Sequence, residues 1–228
     1  MKGVKYSGLM NAVLGVGACV MSTGALSAPQ VPFDSAGASG VEIRGVASNL
    51  IITSDANNAE GVSIVRHGNS SSCQASAVAK RQGNAVSIFV SKKGGDRCIP
   101  TVAINVKPNM GMVVGIESVD VKAAGQYSSF VVNSGSADVH FEGATGLMEL
   151  RARDMDAVLK LHQLLPSDRI VANVDSLDIK IGVPHGSSFA YEINSSDASF
   201  SRGVPESDSG ARLQINSSSL DGLTTFIN

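Results

Sequence analysis

Four aspartates are the side chains in this 228-residue sequence that could most readily do chemistry. They occupy matching positions in short apolar segments that recur about every 20 residues, and Val158 and Ser199 occupy the two other matching positions. The four are Asp120, Asp138, Asp178 and Asp221. If the segments stack, the aspartates form a surface ladder with a rung spacing of ~4.8 Å. Such a ladder could bind a hard cation or supply paired acids for cleaving a polysaccharide.

A structural role for the aspartates competes with the chemical one. An aspartate at a tight corner accepts backbone N–H bonds, as it does in an Asx turn. Val158 interrupts the middle of the ladder, and the sequence places no basic or aromatic groove residues beside it. We therefore predict no catalytic residue, no cofactor and no metal site.

The four histidines show no metal-ligand spacing. They are His67, His140, His162 and His185. Asp138 and His140 are two residues apart and would share one face of a strand, within hydrogen-bond reach. A nucleophile motif such as GxSxG is absent, so the sequence favours a surface histidine beside an aspartate over a catalytic triad.

Composition excludes several classes of protein. The chain is 43% hydrophobic and 17% charged, with no tryptophan and a formal net charge of −2. This is neither a disordered polyelectrolyte nor a protein with many membrane spans. A near-neutral charge balance gives no electrostatic footprint for nucleic acid.

Residues 1–28 have the layout of a secretory signal peptide. Lys2 and Lys5 precede an apolar run at residues 9–20, and a small-residue stretch ends at Ala28. The run is shorter than the ~20 residues that span a bilayer, so we expect no membrane span after cleavage. The predicted location is periplasmic, secreted or at the cell surface. The alternative is a lipoprotein acylated at Cys19.

Two cysteines remain after the signal peptide. Cys73 and Cys98 lack the CxxC spacing of redox and metal sites. In an oxidising compartment they are expected to form one disulfide, which would stabilise the fold by ~3 kcal/mol.

The body of the chain, residues 41–228, is predicted to be all-β. It follows a flexible Pro/Gly/Ser-rich lead at 29–40, and Val and Ile alternate with polar residues between Gly, Asn, Ser and Asp. Within the N-terminal part, 41–100, the segment 69–84 is predicted to be a loop. The repeat over 101–228 predicts a single-chain β-solenoid of coils of about 20 residues. The alternative is a β-sandwich.

Three local features complete the prediction. Residues 144–165 also fit one face of a helix ending at Pro166, although alignment with the flanking coils favours strands. Four phenylalanines follow the apolar pattern and are expected to face the core, which leaves few aromatic rings for a sugar platform. They are Phe130, Phe141, Phe189 and Phe200. The Asn-Ser-Ser sequons at Asn69, Asn194 and Asn216 are interpreted as corners.

The segments VDVKA, ADVHF and LDIKI, each following a Gly/Asn/Ser corner, resemble the putative-adhesin (toastrack-like) domains of bacterial envelope proteins. The resemblance extends over residues 41–228. It implies a repetitive β fold in an exported or membrane-attached protein, and it carries over no functional residue. Val158 and Ser199 depart from the family's Gly-Asp segment, and the Cys73/Cys98 pair is an addition.

The function that this sequence favours is a non-enzymatic, adhesin-like module for binding or scaffolding in the bacterial cell envelope. Its partner would be an envelope protein or glycan. The exposed edge of the last coil, near 211–228, could also add a strand from a partner or a second copy. The alternatives are a polysaccharide hydrolase or lyase that uses the stacked aspartates, and an envelope-stress sensing module.

Overall fold

The computed structural model describes residues 30–68 and 71–228. The signal peptide and lipoprotein predictions and the sequon at Asn69 concern residues outside this part. The described residues form fourteen strands and no helix. The strands are β1 (Val31–Pro32), β2 (Gly40–Gly45), β3 (Ser48–Ser54), β4 (Gly61–Arg66), β5 (Gln74–Gln82), β6 (Ala85–Lys93), β7 (Thr101–Val106), β8 (Met110–Ile116), β9 (Ser118–Asn133), β10 (Ser136–Leu161), β11 (Arg169–Val183), β12 (Phe189–Ser195), β13 (Ala198–Arg202) and β14 (Ala211–Ile227).

The strands wind into a two-sided β-solenoid, because the long strands bend and contribute to both sides. On the side called face A, the neighbours in space are β4, β7, β3, the first half of β9, the start and end of β10, the second half of β11, the end of β14, and β13. On face B they are β5, β6, β2, β8, the second half of β9, the middle of β10, the starts of β11 and β14, and β12. From the coil of β6 and β7 to β12 and β13 every pairing between neighbouring coils is parallel, which confirms the solenoid and excludes an antiparallel sandwich. Only β1, β4 and β5, at one end of the described stack, pair antiparallel.

Alternation along each strand builds the core. Inward residues of successive coils lie directly over one another, as Val121 does over Val139 on face A and Phe130 over Met148 on face B. All four of these side chains are fully buried. One coil cannot bury its apolar side alone, so each coil is stabilised by its neighbours.

Glycine corners join the two faces. Gly125 and Gly143 are paired in register where β9 and β10 bend, with φ of 126° and 154°. At the opposite corner the Ser134 hydroxyl donates to the Ile116 carbonyl at 2.7 Å, which ties one coil to the next. Small residues therefore occupy the corners, as the sequence predicted.

Chain order and spatial order differ at both ends of the solenoid. The coil made of β2 and β3 lies between the coil of β6 and β7 and the coil of β8 and β9. At the other end β14 lies between β11 and the pair β12 and β13. The prediction of an exposed edge near 211–228 is therefore wrong, because β14 is paired on both sides. The outermost strands there are β12 and β13.

Two segments differ from their predicted structure. Most of the predicted loop at 69–84 is strand β5, which pairs antiparallel with β6 through a turn at Gly83 and Asn84. A Gly-Asn pair between two alternating segments is typical of a β-hairpin. The loop prediction did not take this pair into account. Residues 147–160 of the 144–165 segment pair in register with β11, so the strand interpretation is confirmed and the helix alternative is wrong.

A disulfide joins Cys73 to Cys98, whose Cα atoms are 5.5 Å apart. It ties the start of β5 to the segment before β7, and both cysteines are buried. The predicted bridge is thus present, and it supports an oxidising compartment for the folded chain.

Replacing both cysteines by alanine is expected to lower the free energy of unfolding by about 3 kcal/mol, because the unfolded chain regains the freedom that the crosslink removes. Urea titration with and without reductant measures the effect. Reduced wild type should approach the double variant, while the variant itself should not respond to reductant. Equal stability of oxidised wild type and variant would contradict the prediction.

Candidate binding face

Four aspartates form one column on the outer side of face A. Asp120 pairs in register with Asp138, and Asp156 pairs with Asp178. The Asp154 N–H donates to the Gly135 carbonyl at 3.2 Å, and this parallel register places Asp156 over Asp138. We call Asp120, Asp138, Asp156 and Asp178 the acid column.

The acid column corrects the predicted ladder at two points. Val158 does not interrupt it, because Val158 pairs with Lys180 and Asp156 takes the predicted position. Asp221 is displaced from the column by an irregularity after Leu177 that brings Gly222 opposite Asp178. The carboxylate of Asp221 instead accepts hydrogen bonds from the hydroxyls of Ser176 and Ser219, at 3.1 and 2.8 Å.

The column aspartates lie within strands, so they do not cap corners as the structural alternative supposed. Asp120 Oδ1 is buried and is the single such side-chain nitrogen or oxygen in the described residues that lacks a hydrogen-bond partner. A shallow groove runs beside it, lined by Ser48, Asn49 and three of the column aspartates. Within residues 30–68 and 71–228, no group of three or more His, Cys, Asp or Glu side chains is arranged to hold a metal ion.

Replacing Asp156 by asparagine is expected to raise the free energy of unfolding by ~0.5 kcal/mol at low salt, because it removes a like-charge contact with the neighbouring rungs. The gain should shrink as salt screens the remaining carboxylates. Urea titrations at low and high ionic strength measure both effects. Asp208→Asn, in an exposed turn, is the matched control and should change little. A loss of stability in Asp156→Asn would show that this carboxylate makes a structural contact.

A second column of mixed character lies beside the first, two residues further along each strand. Lys122 pairs with His140, and Val158 pairs with Lys180. We call these four residues the mixed column. His140 Nε2 lies 3.2 Å from Asp138 Oδ1, so the two columns touch through the pair that the sequence had placed on one face. One row beyond, His162 Nε2 lies 3.3 Å from Glu142 Oε1.

The remaining predicted candidates lie elsewhere. The ring Nδ1 of His67 accepts the N–H of Ala75 at 3.0 Å, beside the disulfide. On face B, Asn194 donates to Asn216 at 3.0 Å and Asn216 donates to Asn173 at 2.8 Å. Two of the predicted sequon asparagines are therefore members of an amide ladder that joins three coils.

One carboxylate with a shifted pKa, Glu60, lies directly before β4, near the start of the described chain. Burial raises the pKa of Glu60, but hydrogen bonds from the Ser35 hydroxyl and the Lys107 ammonium outweigh it and lower the pKa overall. Lys107 Nζ lies 2.9 Å from Glu60 Oε2, and this contact raises the lysine pKa. The Glu60 contribution to stability is thus present above its ordinary pKa and is lost as pH falls through the lowered value.

No protein-family model and no curated protein matches the sequence. Solved structures of two bacterial proteins are among those similar to the chain. One is a putative cell adhesion protein from Clostridium sporogenes, 8% identical, with a TM-score of 0.42, covering 87% of this chain and 97% of that one. The other is a putative adhesin from Bacteroides fragilis, 12% identical, with a TM-score of 0.31, covering 86% and 95%.

Identities and TM-scores this low fix neither a partner nor an activity. Nowhere in residues 30–68 and 71–228 is there a helix long and apolar enough to cross a membrane. The chain is thus an all-β solenoid with a disulfide and two adjoining polar columns along face A.

Proposed function

We propose that this chain is an exported, non-enzymatic, adhesin-like module that binds or scaffolds a partner in the bacterial cell envelope. The observation that carries the proposal is the outer side of face A, where the acid column and the mixed column run side by side over four successive coils. The disulfide supports export, since such bridges persist in oxidising compartments.

The solenoid backbone fixes the spacing of the charged groups. Successive rungs of a sheet are ~4.8 Å apart, so carboxylates, lysines and a histidine form a regular polar strip that is set before any partner binds. A rigid strip orders few side chains on binding and therefore loses little entropy. It suits a partner that presents alternating cationic and anionic groups along an extended surface, such as an envelope protein or a charged glycan.

A pull-down from solubilised envelope material tests the proposal. The bait is the full chain expressed in an exporting bacterial host, with the disulfide intact, and proteins and glycans are identified together. The double variant Asp138→Asn/Asp156→Asn should lose at least tenfold in retained partner. The matched control Asp34→Asn/Asp96→Asn removes the same charge from exposed residues outside the strands and should retain the partner. Equal retention by both variants would remove face A as the binding surface.

A polysaccharide hydrolase or lyase is the second candidate. The stacking of Asp120 on Asp138 favours it, because paired carboxylates are the groups that cleave glycosidic bonds. The same experiment separates the two functions. An enzyme releases soluble sugar fragments over time and loses that activity in Asp138→Asn/Asp178→Asn without unfolding, whereas a binding module retains its partner intact.

A further inference from the structure

At the end of the solenoid formed by β12 and β13, no strand of the described residues covers the outer edge beyond Phe189. The Ala211 N–H donates to the Ser188 carbonyl, which sets the parallel register of β12 on β14. In that register the backbone groups of Phe189, Tyr191 and Ile193 point away from β14. The Phe189 groups are occupied, since its N–H donates to Pro205 and its carbonyl accepts from Ser207. In the described chain β12 and β13 otherwise pair only with β14. We call Tyr191–Arg202 the tail edge.

The tail edge also leaves apolar surface uncovered. Phe200 pairs in register with the buried Leu223, yet it is 47% exposed because no coil of the described residues lies beyond it. This corrects the prediction that Phe200 lies in the core, whereas the other three phenylalanines are buried. Arg202 lies 4.9 Å from the centroids of both Tyr191 and Phe200. Solenoids ordinarily need a polar terminal repeat at such an end.

The opposite end of the solenoid presents a second edge. Strand β5 pairs only with β6 among the described residues. The Ala75 N–H points away from β6, to His67, so the N–H groups of Ala77 and Ala79 point the same way. We call residues 75–82 the head edge. A shallow apolar groove lies between β5 and β4, lined by Val62, Ile64 and Ala77.

The two ends carry opposite charge. Residues 74–97, at the head end, contain five basic side chains and one acidic one, whereas residues 189–212, at the tail end, contain two basic and four acidic ones. The hairpin behind the head edge carries Lys80, Lys92 and Lys93, none of which pairs with an acid in the described residues. Around the tail edge stand four exposed or half-exposed acids, Glu192, Asp197, Glu206 and Asp208. Arg212 pairs with Glu192 and Arg202 with Glu206, which leaves Asp197 and Asp208 without an ion pair in the described residues.

We propose that this chain associates with a second copy of itself head to tail. The head edge of one copy adds as a strand to the tail edge of the next, and Phe200 packs into the groove between β4 and β5. Charge complementarity favours a second copy in the head-to-tail arrangement. A head-to-head or a tail-to-tail contact would instead bring like charges together. The contact is heterologous and leaves a free edge at each end, so copies add successively. The association does not depend on what face A binds.

Sedimentation velocity of the full chain, over a range of concentrations and at low and high salt, tests the proposal. The mean mass should rise with concentration and fall with salt. Ile193→Pro removes an outward N–H of the tail edge while the ladder to β14 stays intact, and it should weaken association at least tenfold. Its matched control, Ile193→Ala, truncates the side chain but keeps the N–H. Ala79→Pro and Ala79→Ser form the equivalent pair at the head edge.

Mixing separates head-to-tail association from any symmetric contact. Ile193→Pro and Ala79→Pro should each be monomeric, and their mixture should form a 1:1 dimer that grows no further, since each variant keeps one working edge. Far-UV circular dichroism and melting establish that the variants fold. If Ile193→Pro does not fold, Phe200→Lys blocks the tail edge from the side chain alone. A wild type that stays monomeric up to about 1 mM (the weak limit for specific association), or a tail-blocked variant that still self-associates, would overturn the proposal.

Discussion

Gly143→Ala is expected to be among the most destabilising single substitutions in the described chain, lowering the free energy of unfolding by about 3 kcal/mol or more. A Cβ at this corner would lie 1.8 Å from the carbonyl oxygen of Gly125 in the coil below. The φ of 154° adds strain for any residue with a side chain. The added Cβ would clash with a backbone atom, which cannot rotate out of the way as a side chain can. The clash is therefore relieved only if the two coils move apart. Urea titration followed by far-UV circular dichroism measures the loss.

Two other glycines separate the clash from the strain. Gly83 has a φ of 59° and nothing within 4 Å of an added Cβ, so Gly83→Ala should cost about 1 kcal/mol through strain alone. Gly95 has open space and no positive φ, and Gly95→Ala should be near neutral. A Gly143→Ala variant no less stable than Gly83→Ala would mean that the corner relaxes and that close stacking of Gly125 and Gly143 is not required.

The solenoid could be predicted because its cause is local. Each strand alternates apolar and polar residues, and each corner carries small residues. A short segment such as residues 118–133 is therefore enough to predict the length of a coil and the composition of the core. The order of coils in space could not be predicted in the same way. Parallel strands with similar apolar patterns can pair with several alternative neighbours. Strand β14 lies between β11 and the pair β12 and β13, and this order depends on how much apolar surface each strand buries in the complete stack.

The sequence predicted a column of aspartates on the surface, but it did not predict which residues of neighbouring coils lie opposite one another. Asp120 and Asp138 are 18 positions apart, and a constant step of that length leads to Asp156. Matching the apolar residues of AVLKL to those of LDIKI instead places Val158 opposite Asp178. This alignment differs by two residues from the register in the structure, where Asp156 is opposite Asp178. In a strand a shift of two keeps the same face, so the error moved a residue between columns without moving it into the core. The displacement of Asp221 arises from an irregularity opposite Leu177 that no local pattern marks.

The exposed Phe200 shows a limit of the same kind. Its apolar alternation is that of a core residue, and it does lie over Leu223. Burial, however, needs a further coil above it, and whether one exists is a property of the whole stack. Sequence pattern therefore predicts the direction in which a side chain points more reliably than it predicts how far that side chain is buried.

Phe141→Ala is expected to lower the free energy of unfolding by about 4 kcal/mol. Phe141 is 1% exposed, and its ring centroid lies 5.2 Å from that of Phe130 and 5.8 Å from that of Tyr127. These rings bridge faces A and B in a core built mainly of aliphatic side chains. Truncation removes the buried ring and leaves a cavity that the rigid coils cannot close. Urea titration gives the difference, and Phe141→Leu should recover more than half of it because it refills most of the volume.

The matched control is Phe89→Ala, which removes the same side chain from a position that is 55% exposed. This control should cost less than about 1 kcal/mol, since little area is withdrawn from water there. The hydroxyl of Tyr127 donates to the Ala124 carbonyl at 2.9 Å, and burial raises the pKa of that hydroxyl. In Phe141→Ala the cavity lies next to this ring, so water entering it should bring the pKa of Tyr127 back toward its ordinary value. Stability losses of similar size in Phe141→Ala and Phe89→Ala would show that the aromatic cluster does not hold the two faces together.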